Sequence, residues 1–113
     1  MKIAIPINNK GALDNKVAPH FGRANYFLIY NTEKKTFNIL LNPETSGGSE
    51  LPPDFLHRQG VKAIIAFSLG PKAYNKFKNY NIKTYKAIEE TIEKNIQKLE
   101  NNELKELEKE DIF

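Results

Sequence analysis

The spacing of apolar and polar positions divides the chain into eight elements. Lys2–Ile7 carries Ile3, Ile5 and Ile7 on one face and Ala4 and Pro6 on the other. This predicts a strand buried on both sides that ends near the proline. Tyr26–Tyr30 reads as a second strand of the same kind, followed by a turn at Thr32-Glu33-Lys34-Lys35. Thr36–Leu41 alternates Phe37, Ile39 and Leu41 with Thr36 and Asn38, the pattern of a half-exposed edge strand. Pro52 and Pro53 open a short helix that turns Phe55 and Leu56 inward and stops at Gly60. Val61–Phe67 is the most continuous apolar run and predicts a central strand. Pro71 begins the next helix, with Ala73, Tyr74, Phe77 and Tyr80 on its apolar side. Ile82–Tyr85 is a short, more polar strand, again edge-like. Ile88, Ile92, Ile96 and Leu99 are spaced four, four and three apart, one stripe of an amphipathic helix that Asn101-Asn102 interrupts. Glu103–Asp111 reads as a charged continuation, helical or frayed.

The order is therefore β-β-β-α-β-α-β-α. Burial ranks strands one, two and four as interior and strands three and five as edges. Short turns make the first three strands a meander, and right-handed crossovers attach strands four and five beyond strand one. The consistent layout is one α/β domain, a three-layer sandwich of the ribonuclease-H-like kind. Its mixed sheet has the order 3-2-1-4-5 with strand two antiparallel. A chain of 113 residues fits one such core and not two.

Composition narrows the chemistry. Hydrophobic residues make up 40% and charged residues 27%, as in soluble globular proteins. No apolar run approaches the roughly 18 residues of a membrane span. The start, Met1-Lys2-Ile3-Ala4-Ile5-Pro6, lacks the features of a signal peptide, so a cytoplasmic location is the default expectation. There is no cysteine, which excludes disulfides, thiolate-bound zinc, a cysteine nucleophile and a cysteine-ligated iron–sulfur cluster. Metal chemistry must then use histidine, carboxylates or a ligand that arrives with its metals already bound. The net charge of +3 is uneven: residues 87–113 hold nine acids and four lysines, and the rest of the chain is strongly basic. A basic body suits an anionic partner, although fifteen lysines also fit a surface that lysine simply keeps soluble. Arginine occurs only at positions 23 and 58, which argues against nucleic acid.

Ligands of open α/β sheets bind beyond the carboxyl ends of strands, where the strand order reverses. Here that point lies between strands one and four, and two loops leave it. The first, Asn8–Arg23, is longer than a connector needs and contains Pro19-His20-Phe21-Gly22-Arg23. His20 offers the soft-to-borderline donor left in a cysteine-free chain, or else caps its own turn. Arg23 offers a planar fork for an anion, or else an ion pair with Asp14, the only acid expected nearby. Gly22 permits close backbone approach or a positive φ. The second loop, Ser68–Lys72, sets Gly70 and Lys72 at a helix N-terminus, where free N–H groups attract anions. His57 reads as a surface residue. A two-metal nuclease needs several carboxylates, starting on strand one, and strand one has none. Walker, Gly-x-Gly-x-x-Gly and Ser-His-Asp patterns are also missing.

Several of these segments together resemble the dinitrogenase iron–molybdenum cofactor biosynthesis family, which includes NifX- and NafY-like carriers and the C-terminal domain of NifB-like proteins. The matching pieces are Met1–Pro6, Leu13-Asp14, Val17, Pro19-His20-Phe21-Gly22-Arg23-Ala24, Tyr26–Tyr30, Gly60–Ala66, Leu69-Gly70-Pro71-Lys72-Ala73, Asn81–Tyr85 and Glu103-Leu104. The resemblance covers residues 1–104 as one domain and leaves 105–113 as a charged tail. It implies a ribonuclease-H-like fold and a non-enzymatic role, binding or carrying an iron–sulfur or iron–molybdenum–sulfur cluster or its precursor. It makes His20 the metal contact; Gly22, Arg23, Gly70 and Lys72, which the two converging loops bring to the same crevice, are then expected around the cluster. Thr45-Ser46-Gly47-Gly48-Ser49 stands where the family often has a second histidine. Implied partners are the cluster or another anionic ligand and cluster donor or acceptor proteins, for a monomer or weak homodimer. The alternatives are a small-anion or nucleotide-binding module and a degenerate ribonuclease-H-like nuclease. Glu103–Phe113 is expected to lie outside the site, with Leu104 and Leu107 free to dock on the body or on a second chain.

Overall fold

Five strands form one mixed sheet in a computed structural model that describes residues 1–11 and 13–113. The strands are β1 (Lys2–Ile7), β2 (Tyr26–Asn31), β3 (Thr36–Leu41), β4 (Val61–Ala66) and β5 (Lys83–Lys86). Their order is β3-β2-β1-β4-β5, the order that the burial pattern predicts. β2 runs antiparallel to both β1 and β3, and β4 runs parallel to both β1 and β5. The helices are α1 (Pro52–Arg58), α2 (Pro71–Asn79) and α3 (Ile92–Glu100).

The period-2 pattern of the strands splits the core between the two faces of the sheet. Ile3, Ile5, Ile7, Leu28 and Ile65 meet Ile92, Ile96 and Leu99 of α3 on one face. Ala4, Phe27, Ile29 and Ile64 meet Leu56 of α1 and Phe77 of α2 on the other. The result is three layers. The strand bounds differ from the expected ones by a residue at most. Asn81 and Asn102 adopt φ of 58° each at the helix stops, a left-handed conformation that asparagine tolerates better than most residues.

Two expectations fail in instructive ways. The stripe that begins at Ile88 is not all helix: α3 starts at Ile92, because Thr91 caps it by accepting from Lys94 N–H at 3.2 Å. Ile88 instead lies in a preceding loop, held through its own N–H and C=O by the buried side chain of Asn95. Nor does Glu103–Asp111 continue a helix. It returns along the outer edge of β5, where Lys86 N–H donates to Lys105 O at 2.7 Å and Leu107 N–H to Thr84 O at 3.0 Å. One 3₁₀ turn follows at Lys109–Asp111. Leu104 and Leu107 are buried in the two core layers, so they dock on the body, and β5 is not a bare edge.

Candidate functional site

Both loops that leave the carboxyl ends of β1 and β4 open onto one cavity of about 510 Å³. His20, Gly22, Arg23, Gly70 and Lys72, the five residues singled out from sequence, all line it. The loop bearing His20 is anchored by its neighbour. Phe21 is buried, 5.0 Å from the Phe27 ring and edge-on to Phe77 at 5.6 Å. Burying a ring of this size stabilises by about 1.5–3 kcal/mol. With Phe21 turned into the core, His20, Gly22 and Arg23 on either side of it stay exposed.

A second anchor comes from Asn42, a buried residue at the end of β3. Its amide donates to Gly22 O at 3.3 Å and Ala24 O at 2.9 Å, and its carbonyl oxygen accepts from Glu44 N–H at 3.1 Å. Thr45 adds a hydroxyl bond to Ala24 O at 3.2 Å. Asn42 was not singled out from the sequence; the Asn42-Pro43 pair could have marked the turn, but not its partner loop. Gly22 does not have a positive φ; a side chain there would extend into open space.

Gly70 is the N-cap of α2, and no side chain caps it. Pro71 has no N–H, so the first-turn amides of Lys72 and Ala73 face this end of the helix with its positive dipole. Among the described residues, Arg23 and Lys72 make no ion pair. The acid at the cavity is Glu44, not Asp14. Asp14 is exposed, and its neighbours Leu13 and Asn15 accept hydrogen bonds from Glu93 and Ile92 at the start of α3.

Lys76 also lines the cavity, but its charge is already engaged. Its ammonium lies 2.9 Å from Asp54, which also accepts a hydrogen bond from the Tyr80 hydroxyl. These two donors hold the Asp54 carboxyl below its ordinary range, the hydroxyl contributing more; the same carboxylate raises Lys76 and Tyr80. His57 is exposed and stacks on Tyr80 at 3.9 Å.

Apart from Ser68, the remaining wall is apolar, and five of its residues were not foreseen: Leu51, Pro52, Pro53, Ala73 and Phe113. Phe113 belongs to the segment Glu103–Phe113 that was expected to lie outside the site, and it lines this cavity. Its N–H donates to Leu69 O at 3.0 Å, and Leu69 N–H donates to Asp111 O at 3.1 Å. These long-range backbone bonds leave no periodic trace in a charged sequence.

Among the described residues, no three His, Cys, Asp or Glu side chains converge to hold a bare ion. His20 is the imidazole among the described lining residues, and Arg23, Lys72 and the N-terminus of α2 give the cavity positive charge. Among the described residues, no helix is long and apolar enough to cross a membrane.

Comparison with known proteins agrees with this layout. The orange protein of Desulfovibrio gigas, in its apo form, superposes with a TM-score of 0.83 at 22% identity, over 94% of this chain and 92% of that one. That likeness concerns the fold. The NifB-related Thermotoga protein TM1290 gives a TM-score of 0.79 at 30% identity over the same shares. The dinitrogenase-related MJ0327 of Methanocaldococcus jannaschii gives 0.73 at 26% identity, over 95% and 94% of the two chains. The uncharacterised protein MJ0580 of the same organism is 38% identical over 103 residues, 86% of this chain and 83% of its own length. The model of the dinitrogenase iron–molybdenum cofactor family matches residues 1–102. The chain belongs to that family.

Proposed function

We propose that this protein is a non-enzymatic carrier of an iron–sulfur or iron–molybdenum–sulfur cluster, or of a precursor of one, held in the 510 Å³ cavity. One observation carries the reading: in a member of this family, a single imidazole shares one open cavity with two unpaired cations and an uncapped helix N-terminus. His20 enters the first shell of a metal. Arg23 and Lys72 balance the negative charge of the cluster, and Gly22 and Gly70 let it approach the backbone. A single protein donor gives a bond weak enough to release the cargo to an acceptor protein. The sheet order also supports a ribonuclease-H-like description of the fold. The nuclease alternative is disfavoured by a cavity with one carboxylate, Glu44, among its described lining residues.

Anaerobic reconstitution with ferrous iron, sulfide and molybdate, then desalting and metal analysis, tests the reading. The expected result is iron and sulfide retained with the folded protein. Loss of all metal together with a thermal shift on adding a nucleotide would make the site an anion-binding module. Metal-dependent cleavage of RNA or DNA would make it a nuclease.

A further inference from the structure

The family match ends at residue 102, yet the next eleven residues are fastened across the molecule to the cavity. The fastening has three parts. Leu104 and Leu107 are buried, 9% and 4% exposed. Asp111, itself 7% exposed, pairs with Lys86 at 2.9 Å and closes its own turn by accepting from Glu108 N–H. Leu69 then bonds to the segment on both sides of Ile112, accepting from Phe113 and donating to Asp111.

All this order ends in a side chain that is not buried. Phe113 lines the cavity and is 81% exposed, the highest figure among the exposed large hydrophobic residues. Its tether, Leu69, directly precedes Gly70, the N-cap of α2. Phe113 is thus tethered by its backbone at the lip of the cavity, beside the N-terminus of α2, with its ring left in solvent.

We propose that Phe113 is a retention-determining residue of this site: residues 103–113 form a strap that holds its ring against the outward face of the bound cargo. The inference rests on the carrier reading. A sulfide-faced cluster is polarizable and weakly hydrated, and sulfur packs favourably on an aromatic ring. The contact buries a ring that is otherwise in water and screens the cluster's exposed face from solvent and from competing ligands. Leu51, Pro52, Pro53 and Ala73 add apolar surface to a lining that also holds Glu44, Ser68 and Lys76.

The test is the rate at which reconstituted protein gives up iron to an excess of a ferrous chelator under anaerobic conditions. Phe113→Ala should release iron about tenfold faster than the parent, the change falling on the off-rate because the ring covers an already bound ligand. Phe113→Tyr should release at the parent rate. The exposed ring contributes little to folding, so both variants keep the parent melting temperature. Lys86→Ala, which unpairs Asp111, should also speed release, and in metal-free protein it should speed hydrogen exchange at the Leu69 amide. Parent protein that retains iron, with Phe113→Ala releasing it no faster, overturns the strap and leaves the carrier reading standing. Parent protein that retains no iron overturns both.

Discussion

The Asn42 side-chain amide donates to the carbonyl oxygen of Ala24 at 2.9 Å and ties together two loops eighteen residues apart. The bond forms in a buried place, because Asn42 is wholly inaccessible to solvent. Replacing Asn42 by Ala strands the Ala24 carbonyl and the Glu44 amide with fewer partners. Such a loss costs about 1–3 kcal/mol, to be read from urea unfolding. His20 and Arg23 would also lose the fixed loop that presents them, so iron retained per folded molecule should fall.

His20→Ala should lower iron occupancy per folded molecule more than any other single change in the cavity, because it removes the imidazole that can enter a metal's coordination shell. Its melting temperature should stay near the parent value, since the side chain is exposed. A fall in melting temperature with occupancy intact would mean that His20 serves only its own turn. Lys72→Ala should weaken retention less, and chiefly at low salt, because an exposed charge is screened over about 10 Å at 0.1 M ionic strength.

The Asp54 clasp between α1 and α2 has a defined pH window. The folded carboxyl titrates below its ordinary range, so its stabilisation is present above the unfolded value of about 3.9 and is lost as pH falls through the lowered folded value. Lys76 is raised; its share is present below about 10.4 and disappears as pH rises through the raised value. Asp54→Asn should flatten the acid limb of stability against pH. It should also free the Lys76 charge at the cavity and tighten retention of the anionic cargo at low salt. Melting curves from pH 2 to 7 and iron release at two ionic strengths check the two halves.

Leu107→Ala should destabilise the protein by about 2–4 kcal/mol, as for other buried leucines. A loose tail would give a change near zero. Its side chain is 4% exposed in the layer that also contains Phe77 and Leu56. Denaturant unfolding measures the difference.

The sheet was legible because strand burial is a local property. β1, β2 and β4 are apolar on both faces, β3 alternates, and short turns leave few ways to connect them. The cavity was legible in part for the same reason: His20, Arg23, Gly70 and Lys72 follow strands whose ends must lie together. What escaped was decided by contacts between distant segments. Nothing in the alternation of residues 103–113 says that Leu104 and Leu107 will pack, or that Leu69 will bond to Phe113. Ile88 has the right spacing for α3 but loses to the cap at Thr91 and to the bonds from Asn95. Glu44 replaces Asp14 as the cavity's acid because Asn42 folds its own loop over the site while the flanks of Asp14 hook onto α3.

The strand-like return of residues 105–107 along β5 has a bearing on how copies of this molecule can meet. It occupies the hydrogen-bonding groups at one side of the sheet and leaves β3 as the side open to another strand. β3 is six residues long, has no charge, proline or bulge, and exposes Phe37 and Leu41. Such a strand lacks the usual protections against edge-to-edge pairing. Two molecules that join through β3 consume both of their open sides at once. The association then closes at a symmetric pair, and the sheet cannot propagate from molecule to molecule into a ribbon.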